Sequence, residues 1–281
     1  MMKMRAIYVC IFLLFTATVG FAQASADKRE RVIARADSLM QHEDYAGALE
    51  IFNSLLEKSK LTSDEDYAML YKRAYCFYGV GKFEEALNDI NRFIEKNPDQ
   101  QAKMLRAYIN QELGNSTEQL KDLNELIDGK PENLDLTRWR ASVLMELGKY
   151  KEARKDINQI LSKEPNPDIM GYLGLTYYYE DDPDSALTIF DKIIASNPGH
   201  VQSYVYAASL ALEQEIYPLA LEYINKGLAA DASNTTLMFY KGIALVETEK
   251  VDSGCRCLTK AFQAGVDDAG DYLKGFCYGV E

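Results

Sequence analysis

The chain predicts an all-α fold built as an array of helix–turn–helix repeats, and three observations carry that prediction. One motif position recurs at Ala48, Ala86, Gln119, Ala153, Ala186, Ala220 and Gly254, at intervals of 38, 33, 34, 33, 34 and 34 residues. A second column lies twelve residues earlier, at Ala36, Ala74, Ala107, Ala141, Gly174, Ala208 and Gly242, and every member is Ala or Gly. Apolar residues keep helical spacing, as in Leu70, Ala74 and Phe77 and in Ala86, Leu87, Ile90 and Ile94, and no segment alternates like a half-buried strand. Self-similarity at such a period marks stacked supersecondary units, each burying its apolar face on the next.

Residues 1–22 stand apart from the array. Met1-Met2-Lys3-Met4-Arg5 is a basic start, Ala6 to Phe21 is apolar and uncharged, and Gly20 and Ala22 supply small side chains. That is the anatomy of a signal peptide, so cleavage after Ala22 is expected, with 23–28 a short lead. The exported chain would then be soluble in the periplasm or outside the cell. The rival expectation is an uncleaved anchor in the inner membrane, the one route by which a membrane enters. The 16-residue apolar run falls just short of a comfortable span.

Residues 29–268 accommodate seven repeats. Two antiparallel helices need small side chains where they come closest, which accounts for the two Ala/Gly columns. Gly81, Gly114 and Gly148 fall between the two helical runs of a repeat, where a left-handed residue lets the chain reverse. Pro98, Pro131, Pro165 and Pro198 end successive repeats, because proline cannot continue a helix. Repeats two to five hold the pattern best. Four extra residues around Ser63-Asp64-Glu65-Asp66 follow the first repeat, and the seventh carries Gly254 and no closing proline. Residues 269–281 are expected to form a capping helix.

Leu173-Gly174 followed by Tyr177, Ala186, Phe190 and Pro198 resembles the unit of the tetratricopeptide repeat family. The resemblance implies a right-handed superhelical solenoid whose first helices line a concave groove. It also implies a part in holding proteins or peptides rather than in catalysis. Some members of that family grip a peptide's terminal carboxylate with Lys, Asn and Arg. The equivalent places here hold Tyr71, Tyr75, Met104 and Tyr108, so that activity does not transfer, and Arg138 alone is no clamp.

Arg35, Arg73, Arg106 and Arg140 each precede the small residue of a first helix, and Asp89, Asp122 and Asp156 recur in second helices. Recurrence at the repeat period favours local pairing with a structural role. The alternative is an arginine ladder that grips acidic ligands.

Aromatic residues are the most suggestive feature for binding. Tyr71, Tyr75 and Tyr78 follow helical spacing in the second repeat, and Tyr108 aligns with Tyr75 in the third. Trp139, Tyr172, Tyr206 and Tyr240 form one column through repeats four to seven, with Tyr178 and Tyr179 near it. Such rings either pack between repeats or line a groove, where an amphipathic ring suits a partly wet surface. These rings and Arg138 are the candidate groove residues.

Charge and cysteines bound the rest. Thirty-one basic residues against 43 acidic give a formal charge of −12, which does not favour a nucleic acid. Residues 167–281 hold 7 basic and 17 acidic side chains, so a ligand of the C-terminal half should be neutral or basic. Cys76, Cys255, Cys257 and Cys277 are too few for a disulfide framework. Free buried thiols are one expectation. One bridge from Cys277 to Cys255 or Cys257, with Cys257–Cys277 as the pairing, is the other. The only histidines are His42 and His200, and no metal-ligand cluster, cofactor loop or nucleophile–base spacing points to an enzyme. The functional contest is between a non-catalytic protein–protein interaction scaffold of the cell envelope and a module that captures an extended peptide or glycan on an aromatic groove.

Overall fold

The computed structural model describes residues 27–57 and 59–277, and within these the chain is helical throughout, with no strand. The expected signal peptide and the last four residues lie outside the described residues. The chain divides into two compact units after Pro131. The first unit holds α1 (27–41), α2 (Tyr45–Glu57), α3 (Asp64–Gly79), α4 (Phe83–Lys96), α5 (Gln100–Glu112) and α6 (Ser116–Gly129). The second holds α7 (Leu134–Glu146), α8 (Tyr150–Lys163), α9 (Pro167–Tyr178), α10 (Pro183–Ser196), α11 (Val201–Glu213), α12 (Tyr217–Ala230), α13 (Thr235–Glu247), α14 (Val251–Gln263) and α15 (Asp268–Tyr272). One π-helical turn, Leu273–Cys277, follows α15. Within each unit successive helices pack on one another as a stretch of α-solenoid.

The small columns sit where the helices touch. Ala36, Ala74, Ala107 and Ala208 on first helices are fully buried, as are Ala48, Ala86, Ala153, Ala186 and Ala220 on second helices. Repeat seven carries glycine in both columns. A Cβ on Gly254 would lie 2.9 Å from the Gly242 carbonyl oxygen and 2.9 Å from the Val246 nitrogen. Both neighbours are backbone and cannot give way, so glycine in both columns sets the α13–α14 approach.

Beside each contact lies an ion pair. Arg73 donates to Asp89 at 2.6 and 2.8 Å, Arg106 to Asp122 at 2.8 and 2.6 Å, and Arg140 to Asp156 at 2.8 and 2.6 Å. The three carboxylates are buried. A third group closes the arrangement, because Arg73 also donates to Asn53 at 3.1 Å and Arg106 to Asn91 at 3.0 Å. Arg73 and Arg106 therefore each tie their own second helix to the second helix of the preceding repeat. Arg73, Arg106 and Arg140 are thus paired locally with Asp89, Asp122 and Asp156, as their spacing suggested, whereas Arg35 is exposed and has Ile51 at the aspartate position of its repeat. Where the arginine is lost its partner changes with it. Repeat five places Leu173 and Ile189 at the Arg and Asp positions, both buried. Repeat six places Ala207 and Tyr223 there, and the Tyr223 hydroxyl reaches back 2.9 Å to Asp191 at the asparagine position.

Every repeat turns through a left-handed residue. Gly81, Gly114 and Gly148 have φ of 75°, 70° and 68°, and Glu43, Asp181, Glu215 and Glu249 hold the same place at 56–60°. The insertion after the first repeat closes in a capping box. Ser63 Oγ accepts from the Asp66 nitrogen, and Asp66 accepts from the Ser63 nitrogen. Arg29 of α1 then pairs with Asp66 at 2.5 Å, joining the ends of α1 and α3.

The cysteines correct one expectation. The bridge joins Cys255 to Cys277, Cα to Cα 5.8 Å apart, and not Cys257 to Cys277. Two residues along a helix turn a side chain about 200° around its axis. Cys255 therefore faces the π-helical turn, and Cys257, free and half-buried, points to another side.

Candidate functional site

A groove of about 540 Å³ opens in the second unit between α7 and α9, with α8 as its floor. Its walls come from the first helices of two neighbouring repeats, at positions one helical turn apart. Ala141 and Met145 face it from α7, Ile169, Tyr172 and Leu175 from α9, and Ile157 and Ile160 from below. Packing explains why it stays open. Ala141 and Ser142 are too short to fill the space between α7 and α9, while the isoleucines of α8 are held in the core beneath.

Three candidate residues meet there: Arg138, Tyr172 and Tyr179. Tyr172 and Tyr179 are 50% and 54% exposed, the kind of accessible ring a partner can cover. Tyr179 is held in place by stacking on Tyr150 at 5.4 Å and by a tilted contact with Tyr178 at 5.1 Å. Tyr178 is anchored in turn, its hydroxyl donating 2.8 Å to both carboxylate oxygens of Glu213. That bond, aided by burial, pushes the Tyr178 pKa up to about 12, so the phenol stays protonated. Arg138 pairs with Asp135 at 2.9 Å and with Glu164, and this double neutralisation leaves no arginine poised for an anion.

The rest of the aromatic column does not continue this surface. Tyr206 is half-buried, its ring 5.4 Å from that of Phe190 and lying against Gly171. Tyr240 packs with Phe239 in the C-terminal core, its hydroxyl 3.4 Å from Ser209 Oγ. Trp139 is half-buried on α7. The four residues thus share a register but not an environment. The neighbour of Tyr206 in the preceding repeat is Gly171, while the equivalent place before Tyr172 carries the long Arg138.

The first unit gathers the remaining candidates on α3 and α5. Tyr75 and Tyr108 are 41% and 43% exposed. Tyr45 meets Tyr75 edge to face at 5.9 Å, Tyr71 leans on Phe93 at 5.3 Å, and Tyr78 on Phe83 at 5.8 Å. Burial, and then the charge of Glu112, raises the Tyr78 pKa; burial, and then Asp99, raises that of Tyr71. Carboxylates therefore border the tyrosines.

One contact escaped the sequence. His200 Nε2 lies 3.0 Å from Asp168 Oδ1 and its Nδ1 lies 2.8 Å from Ser203 Oγ. The order Ser–His–Asp invites an acyl-transfer reading, but Ser203 is fully buried and cannot meet a substrate. The contact fastens the start of α9 to the start of α11. Only the recurrence of an Asp and a His at the starts of neighbouring first helices, 32 residues apart, could have signalled it. Among the described residues no group of three or more His, Cys, Asp or Glu side chains is placed to hold a metal ion. Among the same residues no helix is long and apolar enough to cross a membrane.

A family model described as the tetratricopeptide repeat matches residues 33–79, 71–133 and 172–235. Among solved structures, the C-terminal part of a TPR repeat-containing protein from Cytophaga hutchinsonii is 21% identical, with a TM-score of 0.62. The match covers 86% of this chain and 99% of that one. A tetratricopeptide repeat protein from Parabacteroides merdae is 20% identical over 88% of this chain and 97% of its own, with a TM-score of 0.53. A structure of Naa15/Naa10 bound to HypK-THB is 14% identical and matches 90% of this chain but 40% of its own, with a TM-score of 0.53. Likeness at these identities shows the fold. No curated protein matches the sequence significantly.

Proposed function

The chain belongs to the tetratricopeptide repeat family, and from that premise we propose that it is a non-catalytic protein–protein interaction scaffold of the cell envelope. Proteins of this family hold protein or peptide partners. The observation that carries the reading is the apolar groove between α7 and α9, with its two exposed rings and neutralised arginine. A hollow of that size accepts one or two side chains of a partner and excludes water from them, the setting in which binding hot spots arise. Tyr179, already fixed by Tyr150 and Tyr178, loses little freedom on binding.

The envelope assignment draws support from the signal-like residues 1–22 and from the Cys255–Cys277 bridge, since disulfides persist in oxidising compartments. The excess of 17 acidic over 7 basic side chains in residues 167–281 favours a neutral or basic partner. The half-exposed Tyr172 and Tyr179 favour a second reading of the same groove, capture of an extended peptide or glycan chain. Affinity capture from the native envelope, followed by mass spectrometry, separates the two. A folded protein held by the wild-type chain and lost on Tyr172→Ala supports the scaffold; a bare peptide or glycan supports capture.

A further inference from the structure

The tyrosine face of the first unit carries a second recognition chemistry. Tyr71, Tyr75 and Tyr78 follow one another on one side of α3, and Tyr108 repeats the Tyr75 position on the neighbouring α5. Tyr75 and Tyr108 are each more than two-fifths exposed, and Tyr45 and Tyr75 meet edge to face. Exposed aromatic rings at the repeat period present a run of electron-rich faces.

The charges around this face are one-sided. Both basic residues of α3 are committed elsewhere, Lys72 to Asp37 at 2.7 Å and Arg73 to Asp89 at 2.6 Å. So are both of α5, Lys103 to Glu125 at 2.5 Å and Arg106 to Asp122 at 2.6 Å. The charges that act on the tyrosines from nearby are carboxylates: Glu112 on Tyr78, Asp99 on Tyr71 and Glu43 on Tyr45. A surface with aromatic faces inside, carboxylates at its border and its own cations tied away is complementary to a positive side chain. A cation over a ring gains from the ring quadrupole, and a nearby carboxylate adds to that attraction.

We propose that the tyrosine face of α3 and α5 is a docking site for a basic, extended segment of a partner protein, whose arginine side chain lies over the rings of Tyr75 and Tyr108. The inference deepens the partner-holding reading by naming the partner's chemistry at a place distinct from the α7–α9 groove. Lysine would serve less well, because the planar guanidinium can both stack on a ring and donate to Glu112.

The test uses the full-length chain and two fluorescent Gly/Ser peptides, one carrying arginines and a twin with citrulline at each arginine. Citrulline keeps the shape and removes the charge. The arginine peptide should bind about 5-fold or more tightly than its twin, which corresponds to a cation–π contact of about 1 kcal/mol. Replacing Tyr75→Leu together with Tyr108→Leu should abolish the preference, whereas the paired changes to Phe and the distant Tyr172→Leu should keep it. Equal binding of the two peptides would overturn the inference and mark a surface that reads uncharged ligands. A preference that survives the paired leucine changes would overturn it as well, since diffuse acidity would then suffice. Should the leucine variant lose its helical circular dichroism, Glu112→Gln decides, because that side chain is exposed and the change is isosteric. A lowered preference sustains the inference and an unchanged one ends it. Failure here leaves the partner-holding reading intact, because that reading is tested through Tyr172 and Tyr179.

Discussion

Arg106 on α5 grips Asp122 on α6 with two parallel hydrogen bonds, Nε to Oδ2 at 2.8 Å and Nη2 to Oδ1 at 2.6 Å, and the carboxylate is wholly out of water. Breaking such a pair strands a buried charge. Asp122→Ala should therefore destabilise the chain by about 3–5 kcal/mol. Replacing the two residues together by Leu and Ile, the pair repeat five uses at Leu173 and Ile189, should recover most of that loss. Urea denaturation of the single and double variants checks it. A harmless single change, or a double variant no better than the single, would refute the account.

The turns make a prediction of opposite sign. Glu215 holds a left-handed conformation with φ of 56° at the place where Gly81, Gly114 and Gly148 stand in other repeats. A side chain with a Cβ pays about 1–2 kcal/mol there relative to glycine, less glycine's greater entropy in the unfolded chain. Glu215→Gly should raise stability by about 0.5–1 kcal/mol, and Gly81→Ala should lower it. A melting temperature that falls for Glu215→Gly would show that its side chain makes a compensating contact.

Asp66 gives the pH dependence. Burial alone would raise its pKa, but hydrogen bonds from Ser59, Ser63 and Arg29 overcome that and hold it at about 2. A carboxylate depressed on folding contributes stability that is present above the ordinary carboxylate range and is lost as pH falls toward the folded value. Between about pH 4 and pH 2 the wild type should therefore lose stability more steeply than Asp66→Asn. Parallel curves for the two proteins would remove Asp66 from the α1–α3 junction.

Most of the fold was legible because a repeat writes each contact several times. The Ala/Gly columns and the Arg–Asp pairs stood out for that reason, and the pairs proved structural. The asparagine partners Asn53 and Asn91 were in plain sight, Asn91 two residues after Asp89, yet nothing in one repeat shows that such a side chain reaches into the next. The left-handed Glu43, Asp181, Glu215 and Glu249 were hidden because residue type disguised a conserved geometry that glycine announces elsewhere. The groove was least legible. Tyr172 and Tyr206 occupy the same register, but Tyr206 lies against Gly171 of the preceding repeat, whereas the equivalent place before Tyr172 is Arg138. The stacking of Tyr150 on Tyr179 joins residues off the repeat period, so no column contained it.

The bridge can be checked directly. Non-reducing peptide mapping of oxidised protein should recover Cys255 joined to Cys277, and Cys257→Ser should leave that bridge unchanged. Reduction should loosen α15 and the π-helical turn, at a loss of about 3 kcal/mol for a loop of this length. Recovery of a Cys257–Cys277 peptide would contradict the observed pairing.

The α7–α9 groove is the proposed place where a partner is held. The most direct measurement is quantitative affinity capture from the native envelope with the wild-type chain and, side by side, with a Tyr172→Ala and Tyr179→Ala variant whose thermal melt is recorded in parallel. Both rings are about half exposed, so the melt should be nearly unchanged. If they act as hot-spot contacts of at least about 2 kcal/mol, the partner recovered by the wild type should fall roughly 30-fold. Undiminished recovery of the same partner by a variant that melts like the wild type would contradict the account.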